Sequence, residues 1–155
     1  MTEREILEMA MAMEEIGRGF YEALAFGSDH PEVRSFCVKA SREEAKHFAT
    51  FKMLRDTWAG SSTWGATHLD EDDECVRMAR QQILPDLETL HRVAVGGDLD
   101  EALDLAVQME TDAIRFYLRL LKSLPGSDQA VGAIVAQEKN HLWQLQNLRG
   151  QARAA

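Results

Sequence analysis

Residues Met109–Tyr117 read Met-Glu-Thr-Asp-Ala-Ile-Arg-Phe-Tyr, and the first half of the chain carries a close copy, Met13–Tyr21, which reads Met-Glu-Glu-Ile-Gly-Arg-Gly-Phe-Tyr. The likeness extends beyond both stretches, because aligned positions are identical at Leu7/Leu103, Ala10/Ala106, Met13/Met109, Glu14/Glu110, Phe20/Phe116, Tyr21/Tyr117 and Leu24/Leu120. The chain therefore contains an internal repeat, and we expect that repeat to organise the fold.

A second motif follows each copy at a similar distance. Glu44-Ala-Lys-His47 follows the first copy and Glu138-Lys-Asn-His141 follows the second. Residues three apart share one face of a helix, so each glutamate can act beside its histidine. Four carboxylates and two imidazoles thus recur in one order, and they are the candidate site residues: Glu14, Glu44, His47, Glu110, Glu138 and His141.

The apolar pattern predicts an all-α fold. Around the candidate residues, apolar positions recur at alternating steps of three and four, which is the spacing of helices that pack in a bundle. We expect a single domain, residues 1–155, containing a four-helix bundle. The predicted helices span about residues 2–26, 31–59, 99–124 and 128–150, and short helices occupy the crossover 60–98. That connection is long enough to cross the bundle, so the second and third long helices can run parallel.

On each long helix, one of the positions expected to face the bundle core is a glutamate. Four ionised carboxylates in one core repel each other, and each costs several kcal/mol to desolvate. Two divalent metal ions would balance these charges, with Glu14 and Glu110 as terminal ligands, Glu44 and Glu138 as bridges, and one histidine on each ion. Carboxylate and imidazole ligands suit iron or manganese, and zinc also fits.

The surroundings of the candidate ligands carry further expectations. Tyr21 and Tyr117 lie two turns beyond the terminal glutamates on the same face. Such tyrosines can simply pack in the core with the hydroxyl finding an acceptor, and the sharper expectation is a hydrogen bond to a ligand carboxylate across the bundle. Glu43 lies about 100° around the helix from Glu44, so we expect it to be solvated. Residues 150–155 are expected to fray.

Composition limits the possible functions. The net charge is −9 and the pI is near 5.0, which argues against nucleic-acid binding, because phosphate contacts need clustered Lys and Arg. No apolar run approaches the roughly 20 residues of a membrane span, and no signal-peptide pattern follows Met1, so we expect a cytoplasmic protein. Cys37 and Cys75 form neither a CxxC motif nor a disulfide framework, and we expect two reduced thiols.

These motifs resemble those of the rubrerythrin family of ferritin-like di-iron carboxylate proteins. The resemblance covers nearly the whole chain and rests on Met13-Glu14-Glu15, Phe20-Tyr21, Glu43-Glu44-Ala-Lys-His47, Met109-Glu110, Phe116-Tyr117 and Glu138-Lys-Asn-His141. It implies a ferritin-like bundle whose two iron ions are bound by the six candidate residues. It also implies redox chemistry with hydrogen peroxide or dioxygen.

Two features differ from family members that carry a rubredoxin-like module. The two CxxC pairs of that module have no counterpart here, so we expect electrons to come from a separate carrier such as a rubredoxin-like protein. Those members also carry an extra carboxylate one turn from the ligand glutamate of the third helix. The residues one turn from Glu110 are Ala106, Val107, Ala113 and Ile114, none of which can bind a metal. By analogy with the family we expect a homodimer.

Three functions are compatible with these observations. The leading expectation is a di-iron oxidoreductase, a rubrerythrin-like peroxidase that reduces hydrogen peroxide or dioxygen with electrons from a separate carrier. The first alternative is a ferroxidase or iron-handling protein of the ferritin type, which oxidises ferrous iron at the same site. The second alternative is a redox-silent bundle in which the bound metal only stabilises the fold.

Overall fold

The structure, a computed structural model, describes residues 1–58, 69–81 and 86–154. Within these ranges the chain forms six helices and no strand, which confirms the predicted all-α fold. The helices are α1 (Glu3–Gly27), α2 (Pro31–Trp58), α3 (Glu74–Arg80), α4 (Leu87–Val95), α5 (Leu99–Ser123) and α6 (Asp128–Ala154). The predicted end of the second long helix at residue 59, and residues 60–68 and 82–85 of the predicted crossover, lie outside the described residues.

Local sequence signals fix where the long helices begin. At the start of α1 the Thr2 amide donates to Glu5 Oε2 at 2.7 Å and the Glu5 amide donates to Thr2 Oγ1 at 3.2 Å, which is a complete capping box. Pro31 is the first residue of α2, where its missing N–H costs nothing. Asp98 caps α5 through a 3.2 Å bond from the Glu101 amide.

Contacts between helices set their directions. Only three residues separate α1 from α2, so these two helices form an antiparallel pair. Tyr21 contacts Glu110 and Glu14 contacts Tyr117, and this reversed order means that α1 and α5 are also antiparallel. It follows that α2 and α5 run parallel, an arrangement that the length of the connection between them allows.

The apolar core consists of two clusters. One contains the fully buried side chains of Phe51 and Tyr117, and the other contains those of Tyr21 and Leu103. On every long helix the candidate site residues fall between the residues of the two clusters. Burying each large apolar side chain contributes roughly 1.5–3 kcal/mol. The two clusters therefore provide the stability that allows a polar layer between them.

The crossover is fixed to the bundle at its described residues. Asp73 caps α3 and accepts a 2.9 Å hydrogen bond from the Ser123 hydroxyl on α5. Arg119 forms a 2.8 Å ion pair with Glu74, and the amide of Leu69 donates to the Met1 carbonyl oxygen at 2.9 Å. The buried residues of α4 pack mainly on α1. The crossover thus covers part of α1 and α5.

The carboxyl end of the chain differs from the prediction. Helix α6 continues to Ala154, so the expected fraying of residues 150–154 is wrong; residue 155 lies outside the described part. Arg149 Nη1 lies 3.0 Å from Asp104 Oδ1, and Arg153 Nε lies 2.8 Å from Asp100 Oδ1. These ion pairs join the last turns of α6 to the first turns of α5, and they account for the ordered end.

Among the described residues, no helix combines the length and the apolar character that crossing a membrane requires.

Candidate metal centre

The structure brings all six candidate residues together in the polar layer of the bundle. Glu14 comes from α1, Glu44 and His47 from α2, Glu110 from α5, and Glu138 and His141 from α6. Each is at most 4% exposed. Four carboxyl groups and two imidazoles therefore share one enclosed volume, where every charge requires a partner.

His47 organises the first group of donors. Its Nδ1 lies 3.3 Å from Glu14 Oε2, 3.5 Å from Glu44 Oε2 and 3.1 Å from Glu138 Oε1. Glu14 reaches only this group, whereas Glu44 and Glu138 come from the two helices that also carry the histidines. The group has four donor residues, all buried.

His141 organises a second group in the same way. Its Nδ1 lies 3.3 Å from Glu44 Oε1, 3.5 Å from Glu110 Oε1 and 3.0 Å from Glu138 Oε2. Glu44 and Glu138 therefore turn one oxygen toward each histidine. This division of the two oxygens is the arrangement that a carboxylate bridging two metal ions requires.

The donor atoms fit a pair of metal ions. Within each group the ligand atoms lie within 4.8 Å of one another, and the two groups share Glu44 and Glu138. Glutamate pairs with Glu-x-x-His pairs on facing helices are the donor set of di-iron and di-manganese bundle proteins. Oxygen and imidazole donors without thiolate suit iron or manganese. The cluster thus has the chemistry of a metal site.

The two tyrosine hydroxyls cross the bundle to the terminal glutamates. Tyr21 of α1 donates to Glu110 Oε1, and Tyr117 of α5 donates to Glu14 Oε1. Both tyrosines are at most 1% exposed. Each hydroxyl occupies one lone-pair region of its carboxylate and so limits how that side chain can turn.

Two residues outside the predicted set contact the histidines. The Nε2 of His141 lies 2.5 Å from Glu43 Oε2, and the Nε2 of His47 lies 2.5 Å from Gln137 Oε1. The prediction that Glu43 is solvated is wrong, because its side chain is only 19% exposed. Its long side chain reaches the histidine of α6. With the Nε2 proton donated outward, loss of the Nδ1 proton would free that nitrogen's lone pair to bind a metal ion.

A sequence signal for this pair existed. Glu43 immediately precedes Glu44, and Gln137 immediately precedes Glu138, so the two residues occupy one position of the repeat. One is anionic and the other neutral. The repeat is therefore close to symmetric in its ligands and asymmetric in the groups that support its histidines.

Without metal, protons can balance the charges of the cluster. Burial, then repulsion from Glu44, raises the pKa of Glu14 well above its usual range. Burial, then repulsion from Glu138, does the same to the pKa of Glu110. Burial favours neutral histidines, but the hydrogen bonds that the imidazoles donate to the glutamates outweigh it and raise the pKa of both His47 and His141.

The other two glutamates shift in the opposite direction. Burial raises their pKa values, but hydrogen bonds to the histidines, and to Glu14 in the case of Glu44, outweigh it. The pKa of Glu44 falls to about 2, and the pKa of Glu138 is also lowered. Two imidazolium ions then face two carboxylates and two neutral carboxylic acids, and the net charge is zero.

Metal loading is therefore expected to release protons. The four groups with raised pKa values must lose their protons to act as ligands, so up to four protons per chain should appear in solution near neutral pH. Titration with Mn²⁺ in buffers of different ionisation enthalpy measures this number. Heats that are the same in every buffer would contradict the assignment.

The same shifts fix the sign of the pH dependence. In the unfolded chain the pKa is 4.5 for Glu and 6.5 for His, and the folded, metal-free site raises it for the four groups named above. At a pH between the unfolded pKa and the folded pKa of such a group, the folded protein therefore binds more protons than the unfolded chain. In that window the stability of the metal-free protein falls as pH rises. The lowered pKa values of Glu44 and Glu138 contribute stability above pH 4.5 that is lost as pH falls through the folded values. Metal affinity should rise with pH because fewer protons compete.

A small pocket opens beside the carboxylates on the side of α1 and α5. Its volume is about 30 Å³, and besides the four glutamates and two tyrosines it is lined by Met13, Ile16, Gly17, Met109 and Ala113. Apart from buried Gly17, these apolar residues are partly exposed, so they form its rim. The two histidine Nε2 atoms point to the other side of the cluster, toward Glu43 and Gln137.

The rubrerythrin family model matches residues 5–149. The chain belongs to the rubrerythrin family. A similar fold is found in a crystal structure from Thermotoga maritima, that of a protein described as a ferritin-like diiron-carboxylate protein. The similarity has a TM-score of 0.69 at 25% identity and covers 98% of this chain and 97% of the other. No curated protein matches the chain in sequence. The resemblance inferred from the repeated motifs is thus confirmed, as is the ferritin-like bundle.

This rubrerythrin family member lacks an additional carboxylate beside Glu110. Ala113, one turn further along α5, lies at the pocket, and it brings no donor atom. Ile114 is buried, and Ala106 belongs to the apolar cluster around Leu103. The donors close to the cluster, within the described ranges, are therefore the six candidate residues and the four side chains that hydrogen bond to them.

Proposed function

We propose that this protein is a di-iron oxidoreductase that reduces hydrogen peroxide or dioxygen with electrons from a separate carrier. With peroxide the reaction consumes two electrons and two protons and yields two molecules of water. The observation that carries the proposal is the pair of buried donor groups that share Glu44 and Glu138. We also retain the expectation of a cytoplasmic homodimer.

The residues around the pair have separable roles. Glu14 and His47 would hold one ion, and Glu110 and His141 the other, with Glu44 and Glu138 between them. Iron bound there would supply one electron per ion to the oxygen–oxygen bond and stabilise the negative charge that develops on oxygen. Tyr21 and Tyr117 hold the terminal carboxylates in place through their hydroxyl groups.

The size of the pocket supports a small oxidant. The enclosed space of about 30 Å³ exceeds the roughly 10–15 Å³ that one water-sized molecule needs, which suits an oxidant as small as peroxide or dioxygen. The rim carries Met13, Ile16 and Met109 rather than carboxylates. A rim of this kind favours a neutral molecule over a steady flow of hydrated ferrous ions, which acidic side chains attract.

The cysteines do not offer a competing chemistry. Cys37 and Cys75 lie in different apolar clusters, and both are fully buried. Burial raises the pKa of each thiol to about 12, so neither forms the thiolate that attacks peroxide. Peroxide reduction by this protein would depend on the metal centre.

Anaerobic loading with ferrous iron, followed by rapid mixing with peroxide or with air, tests the proposal. Ferric absorbance should rise far faster with peroxide than with oxygen and should saturate at two irons per chain, one for each donor group. Preference for oxygen, with iron consumed well beyond that amount, would favour the ferroxidase alternative. Bound iron that reacts with neither oxidant would favour the second alternative, a redox-silent bundle in which the metal only stabilises the fold.

A further inference from the structure

The surface charge of the bundle is uneven. Helix α1 carries six acidic and two basic residues, and α5 carries five acidic and three basic residues. Helix α2 reverses this balance with six basic and four acidic residues. Of the acidic residues in α2, Glu44 is buried and Glu43 is bonded to His141. In a chain of net charge −9, the outer face of α2 carries an excess of cations.

Four exposed side chains form this excess: Arg34, Lys39, Arg42 and Lys46, which we call the α2 cationic surface. They line a shallow groove of about 550 Å³ together with Ser35, Val38 and Glu43. All four cations are exposed. Between Glu32 and Asp56 the only carboxylates of α2 are Glu43 and Glu44, so no fully solvated acid neutralises the groove along the helix.

The α2 cationic surface lies directly over one ligand of the candidate metal centre. Lys39 Nζ is 3.9 Å from Glu43 Oε1, and Glu43 Oε2 is 2.5 Å from His141 Nε2. His141 is 1% exposed whereas Glu43 is 19% exposed. A single side chain therefore separates the groove from an imidazole of the cluster.

The pocket for a small molecule is elsewhere. Its apolar rim belongs to α1 and α5, whereas the histidine Nε2 atoms point to residues of α2 and α6. A protein bound over Glu43 would leave the rim of the pocket uncovered. The two sides of the cluster can thus serve two partners at once.

We propose that the α2 cationic surface is the docking site of a small acidic one-electron carrier protein, which delivers its electrons at the Glu43–His141 contact. This inference rests on the proposed function and adds the location and charge of the partner. Two reduced carriers, docking in turn, supply the two electrons that one peroxide consumes. The acidic excess of α1 repels such a carrier, so the groove also orients it.

Other occupants fit this surface less well. Permanent interfaces between copies of one chain are apolar at their centre and depleted in lysine, whereas this surface carries the exposed Lys39 and Lys46. Nucleic acid needs a broad cationic surface, whereas the α2 cationic surface is confined to a single helix. A transient encounter with a compact anionic protein matches both the size and the charge.

A second groove provides a matched control. Arg77, Arg115, Arg119 and Lys122 line a groove of about 520 Å³ on α3 and α5, with the same number of cations and a similar volume. None of its lining residues contacts the histidines or glutamates of the cluster. The α2 double variant carries Arg42→Glu and Lys46→Glu, and the control double variant carries Arg115→Glu and Lys122→Glu. Each variant reverses the charge of two cations, so the two sites are changed equally.

Calorimetric titration of the iron-loaded proteins with oxidised rubredoxin, an acidic carrier that cannot react in that state, measures docking without turnover. At low salt the α2 double variant should bind about tenfold more weakly, and the control variant should change less than about twofold, because charge reversal acts mainly through local attraction. With reduced rubredoxin and peroxide, kcat/KM for the carrier should fall by the same factor in the α2 variant only. Equal weakening in both variants, or none in the first, would contradict the docking site.

The failure of this inference can be told apart from that of the proposed function. Iron-loaded protein that has been reduced chemically can react with peroxide without a carrier. If this reaction is fast but rubredoxin does not bind at the α2 cationic surface, the result contradicts the docking site alone. No reaction there contradicts the proposed function. Two further results would assign the surface to another occupant: tighter binding of a single-stranded DNA oligonucleotide than of rubredoxin, or a dimer in sedimentation that the α2 variant converts to monomer.

Discussion

Replacing Glu138 by alanine is expected to leave the protein unable to hold either metal ion. The two oxygens of Glu138 face His47 and His141 at 3.1 and 3.0 Å, so the variant loses a ligand from both donor groups. Removing only an outer partner of a ligand already costs about 10–100-fold in metal affinity, and loss of the shared ligand should cost more at both positions. Elemental analysis after dialysis should show metal falling from one ion per donor group toward none, and peroxide turnover should disappear with it.

Matched variants make that result specific. Glu14 belongs to one donor group only, so Glu14→Ala should retain about one ion per chain. Glu22 is exposed and pairs with Arg18, so Glu22→Ala should retain both. Glu138→Gln keeps the volume of the side chain and separates loss of the ligand from a packing defect, with circular dichroism reporting the helices. Full metal content in both Glu138 variants would show that the carboxylate does not bridge.

Metal loading is expected to raise the melting temperature of the protein by tens of degrees. An ion at a thousandfold excess over its Kd stabilises the folded state by about 4 kcal/mol, and two ions would add about 8 kcal/mol. A domain of this size gains about 2–4 °C per kcal/mol, so a shift of roughly 15–30 °C should follow. The physical reason is that the ions replace protons as the partners of four buried carboxyl groups.

Calorimetric melting with Mn²⁺ measures this shift without oxidation, and excess EDTA should reverse it. The Glu138→Gln variant is the internal control, because it should melt at one temperature with and without the metal. The shift should grow between pH 5 and 8, as protons bound to Glu14, Glu110 and the two histidines compete less. A shift of only a degree or two in the parent protein at pH 8 would mean that the cluster is not a strong metal site.

The ligand positions could be predicted from the sequence because their geometry is local to each helix. Glu14, Gly17, Tyr21 and Leu24 recur at bundle spacing, and all four are buried. The i, i+3 spacing of Glu44 and His47 likewise places both on one face before any packing is known. The internal repeat then supplies the second half of the site.

The contacts that the sequence did not predict depend on how the helices are placed relative to each other. Glu43 was assigned to solvent from its angle on α2, whereas its partner His141 is on α6. The ordered carboxyl end of α6 depends on the ion pair between Arg153 and Asp100. The position of α3 on the bundle depends on the hydrogen bond that Ser123 donates to Asp73. None of these pairs is close in sequence, so a helical pattern contains no information about them.

The crossed tyrosine–glutamate pairs have a consequence for the ancestry of the chain. Tyr21 in the first half supports Glu110 in the second, and Tyr117 supports Glu14. Each half also contributes one Glu-x-x-His motif, so neither half completes a donor group by itself. A forerunner with a single helical pair would have built the same centre only as two copies related by a two-fold axis. A single chain is free of that symmetry, and the difference between Glu43 and Gln137 is one that a symmetric pair of identical chains could not carry.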